Sequence, residues 1–243
     1  MLECKTAVPK KLKQDAIVEA VFEIRFALPP ASLSEVILGR LADHETWEGY
    51  EQRRMFAAQV PDQIRQIDPS FRFQPLLELV PQTKELSVRI GPQVLSFHRM
   101  KPYVGWEKFK PELLDALDAL FKAAKRPTIT RLGLRYINAL RPDDHAVKSI
   151  SDLSMVLKIG DKPIGSNVNV NLSQDLPNNS QCTIRIATPE YVQGELPPGT
   201  SVFVDVDVFT KDTFSSTDKQ TVVNWLDFAH TQEKEHFFCL FPQ

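Results

Sequence analysis

The sequence predicts an α+β protein in which long amphipathic helices pack on a mostly antiparallel sheet. Residues 16–27 alternate between apolar and charged side chains with a period of two, as in a half-buried strand. Later segments repeat this alternation, while 106–124 and 217–237 have the apolar spacing of helices. Strands follow one another in runs with helices after them, which favours antiparallel pairing over alternating βαβ units. Such a sheet can curl into a half-barrel.

The first strand is predicted at residues 16–27, where the alternation is cleanest. Its apolar side chains, Phe22 among them, share one face, while Glu19, Glu23 and Arg25 share the other. Valine, isoleucine and phenylalanine are the residues that fit a pleated, half-buried surface. One face of this strand should therefore meet a core, and the other should carry two carboxylates and a guanidinium.

A helix, an irregular stretch and three strands are predicted next. Ser32 and Glu35 match a capping box for a helix that continues to Leu41. Residues 44–70 contain aromatic side chains without a clean period, so we expect irregular structure with a short strand. The strands that follow are predicted at 76–80, 85–90 and 94–100, the last two joined by a Gly-Pro turn.

Residues 106–140 contain the clearest helix and another long strand. The helix, 106–124, carries one apolar stripe at i, i+3 and i+4 spacing. The strand, 129–140, places leucines on one face and Arg131, Gly133 and Arg135 on the other. A glycine inside a strand indicates a bulge, a bend in the sheet or the close approach of a neighbouring group.

Residues 141–165 are predicted to join two halves of a single unit that spans residues 1–243. These halves are 16–140 and 166–243, and the joint contains one amphipathic piece at 150–159. The second half has strand patterns at 167–172, 182–187 and 202–209, followed by the helix at 217–237. In the strand at 202–209, valines oppose Phe203, Asp205, Asp207 and Phe209.

The composition is that of an ordinary globular protein and excludes several classes. The chain has 243 residues, with 29 Lys and Arg against 31 Asp and Glu, so no basic excess suggests nucleic-acid binding. The cysteines at 4, 182 and 239 form neither a disulfide framework nor a zinc site, which favours a reducing cytoplasm. No apolar run reaches the roughly 20 residues that span a bilayer, and residues 1–15 lack the apolar core of a signal peptide. We therefore expect a cytoplasmic protein with no membrane contact.

Several segments together resemble a known family. They are IVEAVFEIRF at 17–26, RLGLRYIN at 131–138, FVDVDVF at 203–209, WLDFAH at 225–230 and the pair Phe237-Phe238. In this order they are similar to a sporadically distributed, functionally uncharacterised family of bacterial proteins of about this length. Ala16 departs from that pattern, which has a proline there. The resemblance implies a single-unit bacterial protein with an accessory or defence-related role, and it implies no catalytic residues.

The candidate ligand-binding residues are the charged side chains that the strands place on the face opposite the core. They are Glu19, Glu23, Arg25, Arg131, Arg135, Asp205 and Asp207. In a closed or half-closed barrel these side chains would line a polar tunnel. Carboxylates can hold a divalent cation there, and guanidinium groups can hold a phosphorylated ligand. This arrangement would suit a metal-dependent phosphohydrolase or a nucleotide-binding tunnel.

The other interpretation of this face is a set of cross-strand ion pairs on a solvated sheet. Such pairs each contribute only about 0.2–1 kcal/mol. The first strand does not match the Glu-x-Glu-x-Lys signature of triphosphate-tunnel enzymes, and half-solvated antiparallel sheets commonly carry such charges. We therefore favour ion pairs over a catalytic tunnel.

No strong catalytic or cofactor signature is present in the sequence. Phosphate-binding and dinucleotide-binding glycine motifs and the Gly-x-Ser-x-Gly nucleophile motif are absent. His230, Glu233 and His236 follow a spacing that is not His-Glu-x-x-His, so we expect solvated helix residues and no metal site. No catalytic residue, metal or cofactor is therefore predicted.

The C-terminal segment is apolar for a chain end. Phe237, Phe238, Leu240 and Phe241 either pack back on the core or face a protein partner or a second copy of the chain. The sequence as a whole favours a non-enzymatic, cytoplasmic binding or accessory protein. It would recognise a macromolecular partner or a charged ligand through its charged sheet face.

Overall fold

A nine-stranded antiparallel sheet organises the computed structural model, which describes residues 12–29, 34–83 and 85–242. The strands are β1 (Ile17–Ala27), β2 (Glu51–Arg54), β3 (Leu77–Val80), β4 (Leu86–Gly91), β5 (Val94–Met100), β6 (Thr128–Leu140), β7 (Lys158–Ile159), β8 (Lys162–Pro163), β9 (Asn169–Leu176), β10 (Ser180–Ala187) and β11 (Val202–Thr210). The helices are α1 (Ser34–Ala42), α2 (Asp62–Ile67), α3 (Trp106–Ala124), α4 (Pro142–His145) and α5 (Lys219–Phe238). The predicted α+β class with antiparallel pairing is confirmed.

The strand order places β1 at the middle of the sheet. The order is β2-β3-β4-β5-β1-β6-β11-β10-β9, and β7 and β8 form a separate hairpin. β1 pairs with β5 on one side and with β6 on the other, both antiparallel. Because β2 and β9 are edge strands, the sheet is open and does not close into a barrel.

The alternation predicted for β1 is confirmed by burial. Phe22, Ile24 and Phe26 are each about 1% exposed, whereas the charged side chains between them are half-buried. The apolar side chains of β6 and β11 join the same core, which also receives the apolar stripes of α1, α3 and α5. These three helices therefore cover one face of the sheet and leave the charged face to the other side.

The segment between α1 and β3 is more ordered than the sequence predicts. It contains the expected short strand, β2, but also α2 and short 3-10 turns at Glu45–Trp47, Phe56–Gln59 and Pro69–Phe71. Pro61 is the N-cap of α2, and Pro69 begins the last of these turns. Such short elements have no hydrophobic period to detect. The capping box predicted from Ser32 lies outside the described residues, as do residues 1–11.

Two predicted segments have different boundaries in the structure. The amphipathic piece at 150–159 is a 3-10 turn, Ile150–Asp152, followed by β7 of the small hairpin. β9 extends to Leu176, beyond the predicted end at 172, because it stays paired with β10 as far as Ser180. The division into halves stays a prediction, although one sheet runs through both of them where β6 pairs with β11.

The prediction that Glu233 and His236 are solvated is wrong. Both are buried, at 2% and 5% exposure, and His230 is half-buried. On α5 they continue the apolar stripe of Trp225 and Ala229 at helical spacing, so the stripe carries them into the core. Burial raises the pKa of Glu233 well above its ordinary value, and it lowers the pKa of His230 to about 4.

The C-terminal aromatic residues pack back on the core. Phe237, Phe238 and Leu240 are buried, and Phe241 packs against them. They therefore form no exposed patch on the chain, and a partner that binds there stays a prediction. Within the residues that the structure describes, no helix is both long and apolar enough to cross a membrane.

Candidate functional site: the charged face of the sheet

All seven predicted site residues lie on the face of the nine-stranded sheet that α1, α3 and α5 leave uncovered, which we call the charged face. The register shows this, because directly paired residues in an antiparallel sheet point to the same side. Arg25 pairs with Arg131, and Arg135 pairs with Asp207. Glu19 and Asp205 are both partners of Ile137, and Glu23 is a partner of Gly133.

Glu23 is the acceptor for two arginines. Arg25 Nε donates to Glu23 Oε1 at 2.8 Å, and Arg131 Nη1 donates to the same oxygen at 2.9 Å. The guanidinium of Arg131 also lies 4.7 Å from the centre of the Phe209 ring. The first of these pairs lies along one strand, whereas the second joins β1 to β6.

Arg135 and Asp205 form a bidentate pair between β6 and β11. Arg135 Nε donates to Asp205 Oδ1 at 2.8 Å, and Arg135 Nη2 donates to Oδ2 at 2.6 Å. The Asp205 side chain is only 9% exposed, while that of Arg135 is 43% exposed. This hydrogen bond raises the pKa of Arg135. The carboxylate is therefore a buried charge that depends on one partly solvated counter-ion.

Glu19 is held by a histidine of β5. Its Oε1 lies 2.8 Å from His98 Nδ1, and His98 Nε2 lies 3.0 Å from the Ser96 hydroxyl. The hydrogen bond from His98 lowers the pKa of Glu19. His98 and Ser96 are both buried, so this chain of contacts ties β1 to β5 under the surface of the charged face.

Asp207 differs from Asp205 although both lie on the same face of β11. No side chain in the described part of the chain makes a hydrogen bond or an ion pair to Asp207 within contact distance. Burial raises the pKa of Asp207 to about 6, against the opposing fields of Arg131 and Arg135, and Asp205 and Glu23 raise it further. The charged face therefore holds one carboxyl group, that of Asp207, whose negative charge is not neutralised by a direct ion pair with a described residue.

Gly133 provides the space in which Arg131 lies. A Cβ atom added at Gly133 would be 3.2 Å from Arg131 Nη1 and 3.8 Å from Asp207 Oδ1. The register between β1 and β6 is regular at Gly133, so of the three alternatives the bulge is not found at this residue. The structure shows a close approach here, and the neighbouring group is the guanidinium of Arg131.

Substitution of Gly133 should act through Arg131. We expect Gly133→Ala to change the free energy of unfolding by under about 0.5 kcal/mol, because the flexible guanidinium can move and alanine suits a strand better. Gly133→Leu should displace Arg131 from Glu23 and Phe209, at a cost of about 1 kcal/mol. Urea unfolding measures both. Gly39→Leu on α1, where an added Cβ meets nothing within 4 Å, is the control, and an equal loss there would contradict this role.

The seven predicted site residues fall into separate groups of contacts and form no single convergent centre. Glu23 with its arginines forms one group, Asp205 with Arg135 forms a second, and Glu19 with His98 forms a third. Among the described residues, no set of three or more His, Cys, Asp or Glu side chains is placed to hold a metal ion. Because the sheet is open, the seven residues do not line a closed tunnel.

Sequence reasoning missed several residues that complete this face. His98 and Ser96 lie on β5, opposite Val21 and Glu23 of β1. They could have been predicted from the sequence, because Ser96 and His98 alternate with apolar residues along β5. Phe209 is visible in the sequence, since it alternates in phase with Asp205 and Asp207. Arg72 and Phe73 are not visible, because they lie in a segment without a period and reach the face only through the tertiary fold.

Comparisons with known proteins add little to this geometry. No family model matches the chain, and no curated protein matches it. Among solved structures, the chain is similar to the duplicated taurocyamine kinase from Schistosoma mansoni with bound transition state analog components. The TM-score is 0.42 and the identity 11%, over 92% of this chain and 32% of that one. The chain thus spans about a third of the length of that structure.

Proposed function

We propose that the chain is a cytoplasmic, non-enzymatic binding or accessory protein that recognises a charged ligand or partner through the charged face. The observation that carries the proposal is that this face is uncovered and its side chains are ordered. It is free of α1, α3 and α5, yet its side chains are ordered by ion pairs and aromatic contacts. A surface whose side chains are already fixed loses little conformational entropy when it binds.

The charges of the face also support binding more than catalysis. The carboxylates of Glu23 and Asp205 already accept hydrogen bonds from arginines, and these positive charges beside them disfavour the binding of a cation. A metal-dependent phosphohydrolase needs several carboxylate oxygens around one cation. A bacterial, defence-related setting follows from the family resemblance alone and is part of this proposal on that basis.

The test compares two matched double variants of the immobilised chain. Arg131→Ala with Arg185→Ala removes two charges from the charged face, and Lys108→Ala with Lys122→Ala removes two from the exposed side of α3. Bound proteins and small molecules are identified by mass spectrometry after incubation with a lysate of the source organism. We expect at least one salt-sensitive ligand or partner that the face variant loses and the α3 variant keeps.

Two outcomes would contradict this proposal. One is that both double variants recover the same set of molecules as the wild type. The other is steady turnover of a phosphorylated substrate with added Mg²⁺ that the face variant abolishes, because it would make the protein an enzyme. Thermal unfolding of both variants checks that each is folded.

A further inference from the structure

The end of the charged face near the β4–β5 turn carries three arginines backed by aromatic rings, which we call the arginine cluster. The three are Arg25, Arg72 and Arg131. The guanidinium groups of Arg25 and Arg72 lie 4.6 Å and 5.1 Å from the centre of the Phe73 ring. Arg131 lies over Phe209 in the same way. Aromatic contacts of this kind hold guanidinium planes in place.

The arginine cluster keeps a positive excess, because its three guanidinium groups face two carboxyl groups, those of Glu23 and of Asp207, which lies in the field of Arg131. Arg25 and Arg131 share a single oxygen of Glu23, and Arg72 donates through Nε to the amide oxygen of Gln93. Within the described residues, the terminal nitrogens of Arg25 and Arg72 and one terminal nitrogen of Arg131 donate no hydrogen bond. The Arg25 and Arg131 side chains are 31% and 21% exposed, so these donors reach solvent.

Two other arginines of the charged face differ from the arginine cluster because each has its own carboxylate, whereas Arg185, on β10, donates to Asn169 and to the Tyr191 carbonyl. Arg89 donates to Glu78, and Arg135 donates to Asp205. The positive excess is therefore local, and it does not continue along the sheet as a basic track. The net charge of the whole chain is −2. A compact anion suits such a site, whereas a long polyanion needs an extended basic surface.

A groove of about 530 Å³ adjoins the arginine cluster through Arg72 and Gln93, which line both. Its walls come from α1, from the 62–76 segment and from the β4–β5 turn, and they include Leu38, Leu76 and Pro92. The volume is in the range of sites for small molecules, and the walls also carry the charged side chains of Glu35, Asp62, Arg65 and Asp68. The groove can receive the body of a ligand while the arginine cluster receives its charge.

We propose that the arginine cluster binds the phosphate group of a small phosphorylated molecule whose body lies in the adjoining groove. The inference rests on the proposed binding function and names its ligand class. Guanidinium groups with two free donors match the geometry of phosphate oxygens, and the pairing of several guanidiniums suits a doubly charged group. Arg25 is the central residue, since it contacts both Glu23 and Phe73.

The test measures binding by isothermal titration calorimetry at constant ionic strength. The probes are inorganic phosphate, adenosine 5′-monophosphate and a short single-stranded oligodeoxynucleotide. We expect the monophosphate to bind, and Arg25→Gln and Arg131→Gln each to weaken it about tenfold through loss of charge-assisted hydrogen bonds. Arg89→Gln, on the same face but paired with Glu78, is the matched control and should bind as the wild type does.

A groove variant separates free phosphate from a phosphorylated molecule as the ligand. Ser34 lines the groove, so Ser34→Phe should weaken the monophosphate and leave inorganic phosphate unchanged. The proposal is overturned if Arg25→Gln and Arg131→Gln bind both phosphates like the wild type, or if the oligonucleotide binds far more tightly than either. If the lysate test recovers a ligand through the charged face while no phosphate binds, this inference fails and the proposed function stands.

Discussion

Arg135→Ala should lower the free energy of unfolding by about 2 kcal/mol. The substitution leaves the Asp205 carboxylate, which is 9% exposed, without its bidentate partner and beside Asp207. Removal of one partner from a fully buried pair costs roughly 3–5 kcal/mol, and an exposed pair contributes under about 1 kcal/mol. Because the Arg135 side chain is 43% exposed, solvent replaces part of the lost interaction and the expected value lies between these limits.

Urea unfolding of a small set of variants tests this expectation. Arg135→Lys should recover part of the loss, since it restores the charge without the planar fork. Arg185→Ala is the matched control: Arg185 is the cross-strand neighbour of Asp205, but its hydrogen bonds go to Asn169 and a backbone carbonyl. Equal unfolding midpoints for Arg135→Ala and Arg185→Ala would contradict a specific contribution of the Arg135–Asp205 pair to the free energy of unfolding.

Asp207→Asn should stabilise the protein at pH 8 by about 1–2 kcal/mol and have little effect near pH 4. The folded-state pKa of Asp207 is about 6, above its ordinary value of 3.8, because burial outweighs the fields of Arg131 and Arg135. The folded protein therefore binds this proton more tightly than the unfolded chain does. The stabilisation from that proton is complete below pH 4 and is lost as the pH rises through 6.

Asp205 provides a control for which the expected change in the free energy of unfolding has the opposite sign. Asp205→Asn removes the bidentate pair with Arg135 and should destabilise the protein at pH 8, although Asp205 is only two residues from Asp207 on the same face. Urea unfolding of the wild type and both variants at pH 4.5 and pH 8 measures the difference. A change for Asp207→Asn that is the same at both pH values would contradict the role given to this carboxyl group.

The faces of the strands follow from the sequence, but their pairing does not. Alternation alone places Arg131 and Arg135 on one side of β6 and the two aspartates on one side of β11. The register places Arg135 directly opposite Asp207, yet its guanidinium reaches diagonally to Asp205, and no side chain among the described residues makes a hydrogen bond or an ion pair to Asp207. A shift of two residues would change which aspartate Arg135 reaches without changing the apolar pattern, so the periodicity contains no information about this pairing.

Two other features, one on the charged face and one in the core, depend on tertiary structure in different ways. Arg72 and Phe73 reach the arginine cluster from an irregular segment, where no period indicates direction. Glu233 and His236 were visible on the apolar stripe of α5, but the general rule that charged residues are solvated predicted the wrong environment. The apolar stripe predicts their burial correctly, because helical geometry places residues three or four apart on the same side of a helix.

The central position of β1 also affects how the chain folds. Translation produces this strand before either of its neighbours in the sheet, which are residues 94–100 and 128–140. Long-range pairing of this kind closes large loops and is slow, and the nascent strand has no partner in the sheet until residues 94–100 have been made. Apolar strands exposed in this way are prone to aggregate, and charged residues within them act as gatekeepers. We therefore expect Glu19, Glu23 and Arg25 to limit aggregation of the unfinished protein through the same charges that later form the ion pairs of the sheet.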